Sequence, residues 1–341
     1  MKNTAITFLL LAISIAAVAQ HKGEVKELTA QEVSDRLIET YAPLAFSPIS
    51  PITLEQIKLL RAQERAMPIP VLTNSDSVDV DYVNIPGLLE NDPPIPVRIY
   101  KPKGVDSASI FLWFHGGGFV QGTLNWDHQS CANIAQHTKS IVISVDYRLS
   151  PESTYPAAVN DGYSVFLWSI ANAKKLKANP KKIAVGGGSA GASIAGSLVL
   201  MNREKSGPPI SFQVLFFPAA DVDLSRASVK ELWNIPGIKG ADIPVLFEMY
   251  VGNSDLKNVP ENILPGITSN FKNIPATYLV TCGVDPLRDG ALAYGIKLIQ
   301  SGIPVELHNY PGYPHGALPN RMYPELYSFM NEYFKDYYQK L

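Results

Sequence analysis

One hydroxyl in the stretch VGGGSAGASIAG (residues 185–196) stands almost without neighbouring side chains. Gly187-Gly188-Ser189-Ala190-Gly191 fits the pattern G-x-S-x-G, with an apolar β-type run before it (Ile183-Ala184-Val185) and a helix-like run after it. In that strand–turn–helix setting a serine is a nucleophile held on a sharp turn, and the N-terminus of the following helix favours negative charge developing beside it. The competing reading is a glycine turn packed tightly into a core. A phosphate-binding loop fits less well, because the Gly-Lys-Ser/Thr ending is missing.

A serine hydroxyl is a weak nucleophile and needs a base. The chain has six histidines. His21 lies near the N-terminus. His128 and His137 fall in or beside a helical segment and read as part of a solvated face. His308 sits inside a strand pattern, and His115 opens His115-Gly116-Gly117-Gly118. His315, in YPGYPHGAL, lies in a loop after the last strand pattern. Sites in open α/β sheets form beyond the carboxyl ends of strands, which selects His315 as the base; the competing reading of His315 is a turn histidine capping the terminal helix. An orienting carboxylate is then needed. TCGVDPLRDGA places Asp285 directly after a buried strand, while Asp289 fits the start of the next helix as a cap. The order Ser189, Asp285, His315 is the nucleophile–acid–base order of α/β-hydrolases. HGGGF, after the apolar run SIFLWF, offers backbone N–H groups to a carbonyl oxygen, and the N–H of Ala190 is the further donor.

These residues need a sheet to hold them. SIFLWF, SIVISV, KIAVGGG, SFQVLFF, ATYLVTCG and VELHNYPG are short and mostly apolar, and helical patterns separate many of them. That alternation predicts a mostly parallel sheet, eight-stranded, covered by helices on both faces. VDVDYVNI and IPVRIYKP alternate polar and apolar residues and predict an antiparallel, half-exposed pair. Two helical segments precede every strand, capped by Thr29 and Thr53. About fifty residues rich in proline and glycine separate FFPAADVDL from ATYLVTCG, a length that signals a lid. The expected organisation is a leader over 1–19, cap helices over 20–75, and an α/β catalytic domain over 76–341 with a cap insertion at about 225–270. Tyr41, Phe46, Trp233, Phe247 and Tyr250 are candidates to line an acyl pocket, although packing within the cap is the default for most of them.

Composition narrows the class. The chain has 341 residues, 46% hydrophobic and 18% charged, with net charge −2. No basic run suggests nucleic acid as a partner. MKNTAITFLLLAISIAAVAQ reads as a secretory signal peptide cleaved after Ala19, so a secreted or periplasmic location is expected. Its apolar run is shorter than the roughly 20 residues of a stable membrane span. Cys131 and Cys282 read as buried hydrophobes, with a bridge between them left open. No metal or cofactor is called for. A homodimer stays open.

The motifs together resemble the hormone-sensitive lipase family of α/β-hydrolase carboxylesterases: HGGGF (115–119), DYRLSPE (146–152), GGSAGA (187–192), DPLRD (285–289) and His315-Gly316. The resemblance implies an α/β-hydrolase fold with a helical cap, a triad of Ser189, Asp285 and His315, and an oxyanion hole from Gly117, Gly118 and Ala190. It implies a structural role for YRLSPE, with Glu152 hydrogen-bonded near the site. The chain departs from the family in two places. Gly188 stands where the family usually has aspartate, and Ala317 follows His315-Gly316 where a bulky phenylalanine is common. The expected function is a serine hydrolase for small-molecule esters of short to medium acyl chains. An amidase or formamidase with the same triad, and a ligand-binding protein on a hydrolase fold, are the alternatives.

Overall fold

Seven of the eight strands run in one direction, six of them because helices return the chain across the sheet between them. The computed structural model describes residues 25–49, 52–252 and 259–335. The leader expected over 1–19 lies outside these residues. The strands are β1 (Val78–Ile85), β2 (Ile95–Pro102), β3 (Ala108–Phe114), β4 (Ile141–Val145), β5 (Ala178–Gly188), β6 (Phe212–Phe216), β7 (Ala276–Val284) and β8 (Val305–Pro314). They form one eight-stranded sheet in the order β1-β2-β4-β3-β5-β6-β7-β8. β3 to β8 pair in parallel, and β2 is antiparallel to both of its neighbours.

The period of two in these strands sends alternate side chains to opposite faces. On β3, Ile110, Leu112 and Phe114 pack on one face, while Phe111 and Trp113 pack on the other. The first face is covered by α4 (Ala157–Ala171), α6 (Ala190–Glu204) and α9 (Arg288–Gln300). The second is covered by α3 (His128–Thr138) and α10 (Met322–Phe334). Each fully buried Phe or Leu side chain contributes about 1.5–3 kcal/mol relative to exposure, so this double layer holds the sheet rigid beneath any site at its edge. The short α5 (Ala173–Leu176) leads into β5. β1 is half-exposed as its alternation predicts, but β2 is not. It lies inside the sheet, between β1 and β4, and its residues 97–100 are buried.

The cap comes from two parts of the chain. Helix α1 (Ala30–Arg36), a 3-10 turn (Ala42–Phe46) and α2 (Leu54–Ala66) precede the sheet. Thr29 closes a capping box with Glu32, and the Thr53 side chain accepts from Gln56 N–H. The insertion supplies α7 (Ala227–Glu231) and α8 (Asp242–Val251). Val33 and Ala45 pack with Leu232, Ile235 and Val284, which fastens the N-terminal segment to the insertion and to the end of β7. Ile57 packs with Val120 and Leu246, which sets α2 against α8 above the HGGGF loop. No described helix is long and apolar enough to cross a membrane. Cys131 and Cys282 are both buried and free, each as a small apolar filler on the second face.

Candidate active site

The carboxyl ends of β5, β7 and β8 bring three residues together. Ser189 follows β5 on a turn with φ 54° and ψ −121°, a conformation that costs a non-glycine residue roughly 1–3 kcal/mol. Its N–H donates to Phe216 O at 2.8 Å, and its carbonyl begins α6 by accepting from Ser193 N–H. His315 follows β8 directly, and its Nε2 lies 2.8 Å from Ser189 Oγ. Its Nδ1 lies 2.8 Å from Asp285 Oδ2. Asp285, just past β7, is fully buried, and its Oδ1 accepts from Leu287 N–H at 2.8 Å. Only one tautomer satisfies both contacts of His315: Nδ1–H donates to the carboxylate and Nε2 accepts from the serine hydroxyl. The ring is further held edge-on by Phe217 at 4.9 Å.

Glycines surround Ser189 for different reasons. A Cβ on Gly191 would sit 2.1 Å from Phe114 O and 2.4 Å from His115 O, and one on Gly187 would sit 2.5 Å from Gly191 C. The elbow therefore needs bare backbone at both positions so that α6 can approach β3. Gly188 is different. A Cβ there would meet only the Phe217 ring at 3.5 Å, an ordinary contact. Gly191→Ala is expected to destabilise the protein by about 1–3 kcal/mol through overpacking, whereas Gly188→Ala stays within about 1 kcal/mol of wild type. Urea unfolding of the two variants checks this, and equal midpoints would sink it.

The HGGGF loop lies beside the serine. Gly117 and Gly118 have φ +114° and +61°, and their N–H groups have no backbone acceptor among the described residues. Ala190, the first residue of α6, is likewise without an acceptor for its N–H, as the first turn of a helix leaves it. Gly116, Gly117 and Gly118 line the same cavity as Ser189 and His315. His115 is no second base. Burial pushes its imidazole down to about 4, although the Gly116 contact opposes this, so it is neutral. Its Nδ1 lies 2.7 Å from Gly116 O, and its ring stacks on Tyr147 at 4.3 Å. Tyr147 OH in turn donates to His115 O at 2.8 Å. Together these contacts shape the glycine loop.

Several expectations need correction. Asp289 does not cap its own helix. It lies within the first turn of α9, accepts from Ser228 N–H at 2.8 Å and pairs with Arg288, so it ties α7 to the catalytic layer. Burial would raise its carboxyl, but Arg288 and Ser228 outweigh that and hold it low. His128 is not solvated. It is buried, with Nδ1 at 2.7 Å from Tyr100 OH and 2.9 Å from Arg98, while His137 at the end of the same helix stacks on Tyr327. Of the five cap aromatics, Phe247 alone lines a cavity at Ser189. Phe46 and Trp233 are exposed, Tyr41 lies edge-on to Tyr313, and Tyr250 stacks on Phe119.

Two groups had no signal in the sequence. Arg61 on α2 donates to Val120 O and Ser150 O and pairs with Glu152 at 2.8 Å, and Glu64 accepts from Gly122 N–H. Arg61 and Glu64 thus anchor the cap helix to the stretch after the glycines, and Glu152 pairs with that helix. Trp113 Nε1 donates to Asp127 Oδ2 at 2.8 Å inside the cavity that Ser189 lines. Only the folded sheet brings these partners together.

The arrangement suits acyl transfer: a hydroxyl on an imidazole, the imidazole on a carboxylate, and unpaired N–H groups beside them. Comparison with known proteins agrees with the fold. A family model described as alpha/beta hydrolase fold matches residues 111–319, more than half of the chain. The chain is 39% identical over 226 residues to Esterase LipI of Mycobacterium tuberculosis, covering 65% of this chain and 71% of that one. It is 32% identical over 274 residues to Carboxylesterase NlhH of the same species, covering 79% and 84%. A solved structure, Bacterial Heroin Esterase, superposes with a TM-score of 0.80 at 30% identity, covering 88% of this chain and 98% of that one. The chain belongs to this α/β-hydrolase family, the hormone-sensitive-lipase-like one that its HGGGF and GGSAGA motifs resemble.

Proposed function

We propose that this protein hydrolyses small-molecule carboxylic esters of short to medium acyl chains through Ser189, His315 and Asp285. The observation that carries the reading is the pair of 2.8 Å contacts from Ser189 Oγ through His315 to buried Asp285, beside unpaired glycine N–H groups. Family membership and the esterases it resembles support the same class: a carboxylesterase-type hydrolase.

In this mechanism Ser189 Oγ attacks the ester carbonyl carbon as its proton passes to His315 Nε2. The carbonyl oxygen becomes an oxyanion and accepts from Gly117, Gly118 and Ala190 N–H. Collapse breaks the bond to the leaving alcohol, whose oxygen takes the proton from His315 Nε2. An acyl-serine remains. Water then gives a proton to His315 as its oxygen attacks the acyl carbon. Collapse releases the carboxylic acid and returns the proton to Ser189. Asp285 holds the imidazole in one tautomer throughout and stabilises its transient positive charge.

The test is turnover of p-nitrophenyl acetate, butyrate and decanoate beside p-nitroacetanilide. Acetate and butyrate are expected to be cleaved fastest. Cleavage of the anilide with no ester turnover would make the protein an amidase, and a folded protein inert on all four would leave a binding protein.

Export completes the reading, with cleavage between Ala19 and Gln20. Protein recovered outside the cytoplasm is expected to have the mass of a chain starting at Gln20. Recovery there with Met1 intact would overturn the cleavage.

A further inference from the structure

The space at Ser189 is divided unequally. One cavity of about 510 Å³ is lined by Ser189 and His315 and runs beneath α2. A separate recess of about 30 Å³ is lined by Ser189, Gly118, Ala190, Ala219, Phe247 and Leu287, but not by His315. The chemistry assigns the two sides. A leaving oxygen must receive its proton from His315 Nε2, so the alcohol part of an ester belongs in the cavity that His315 lines together with Ser189. The acyl chain is then directed to the recess, which has room for about two heavy atoms. The alcohol side is also widened. Gly188 and Gly316 line it without side chains, and no atom lies within 4 Å of where a Gly316 Cβ would be.

The alcohol cavity is lined by one charged group, Asp127, with no cation paired to it among the described residues. One wall is aromatic and continuous. His315 meets Phe217 at 4.9 Å, Phe217 meets Phe216 at 6.2 Å, and Phe216 meets Trp113 at 5.5 Å. Trp113 then holds Asp127 Oδ2 by its indole N–H at 2.8 Å. Asp127 stands at the start of α3, where an aspartate usually bonds the helix N–H groups. It makes no such bond. Among the described residues no ion pair joins it and its Oδ1 has no donor. The other carboxylate on this cavity, Asp242, is already paired with Lys239 at 2.7 Å. Burial raises the Asp127 carboxyl, opposed only by the Trp113 bond. A half-buried carboxylate with one oxygen fixed and the other free, in a cavity otherwise largely apolar, is built to meet a donor.

We propose that the protein removes two- or three-carbon acyl groups from larger alcohols that carry a hydrogen-bond donor at their far end, and that Asp127 reads that donor. The proposal rests on the ester-hydrolase reading above and adds to it the side on which each half of the ester binds.

The experiment compares ω-hydroxyalkyl acetates with ω-methoxyalkyl acetates over chains of two to eight carbons, for wild type and Asp127→Asn. The methoxy compounds keep the ether oxygen and lose the donor. The readout is the ratio of kcat/KM values for each pair, which is internal to each enzyme preparation and independent of the folded fraction. In wild type the ratio is expected to rise to about 10-fold or more at the length that reaches Asp127, the size expected of a hydrogen bond to a carboxylate. In Asp127→Asn, which keeps an acceptor for Trp113, it is expected to fall near one. Wild type alone also tests the acyl side: the best ω-hydroxyalkyl acetate is expected to be cleaved at least about 10-fold faster than its hexanoate. A wild-type ratio near one at every length would overturn the role of Asp127, as would a ratio unchanged in Asp127→Asn. Preference for the hexanoate would overturn the acyl assignment. Each of these failures leaves ester hydrolysis standing, whereas no turnover of any acetate would remove that reading and this proposal with it.

Discussion

Ser189→Ala will lower kcat for p-nitrophenyl acetate by about 10⁴- to 10⁶-fold while the protein remains folded. The size follows from what the hydroxyl does in the proposed mechanism. Without Oγ no acyl-serine can form, and His315 has no proton to take at the contact where Nε2 now sits 2.8 Å from Ser189 Oγ. What survives is water attacking an ester held near the glycine N–H groups, a residue of catalysis that loss of one triad member typically leaves about 10³–10⁴ above solution. Stability should move little. Alanine keeps the Cβ, so the strained backbone at φ 54° is as costly as before. The lost hydroxyl contact is worth about 1 kcal/mol, and the anchoring bond from Ser189 N–H to Phe216 O stays. Two measurements separate activity from folding: steady-state kinetics, and labelling by a fluorophosphonate that reacts with an activated serine. A variant that keeps more than a few per cent of activity, or that still takes the label, would move the nucleophile elsewhere.

The residues placed at this site were legible because of where they sit relative to apolar runs. Ser189 and Asp285 each come directly after a strand whose sequence is apolar enough to be read as buried, and His315 comes after the last strand, whose pattern is more polar. In a parallel sheet, the ends of such strands lie on one edge, so three separate stretches of sequence indicated one place. The glycines were legible as an anomaly but not as a set of separate needs. Gly187 and Gly191 are required by backbone contacts to β3, and Gly188 is not, a distinction that exists only once α6 lies against the sheet. Residues whose roles depend on partners far along the chain were not legible. His128 looked solvated because Arg98 and Tyr100, which bury it, are 28 to 30 residues away on β2. β2 itself looked half-exposed because nothing local shows that α3 covers its second face. Asp289 had the position of a cap and serves a helix 61 residues earlier. Asp127 carried no signal in the sequence, because its partner Trp113 lies on a strand rather than in its helix. The polar end of the alcohol cavity is therefore a property of the fold.

Asp285→Asn will lower kcat by about 10⁴-fold with little change in KM, and the reason is the direction of two hydrogen bonds. Asp285 is fully buried and lines neither cavity at Ser189, so its loss removes no contact with substrate. Its Oδ1 accepts from Leu287 N–H and its Oδ2 from His315 Nδ1–H, each at 2.8 Å. Asparagine has one oxygen for these two donors. If that oxygen serves the fixed backbone N–H of Leu287, the amide NH₂ is turned toward His315. Nδ1 must then accept, which places the imidazole proton on Nε2. An imidazole with its proton on Nε2 cannot take one from Ser189, although it sits in the same place. If the amide flips instead, His315 keeps its tautomer but Leu287 N–H faces an NH₂ group in a buried site, which costs about 1–3 kcal/mol. The first arrangement therefore prevails, and the enzyme is held in the wrong tautomer. Asp285→Asn should keep its fold, bind ester and lose turnover. A fall confined to KM would place Asp285 in binding, and an unchanged kcat would mean that another group orients His315.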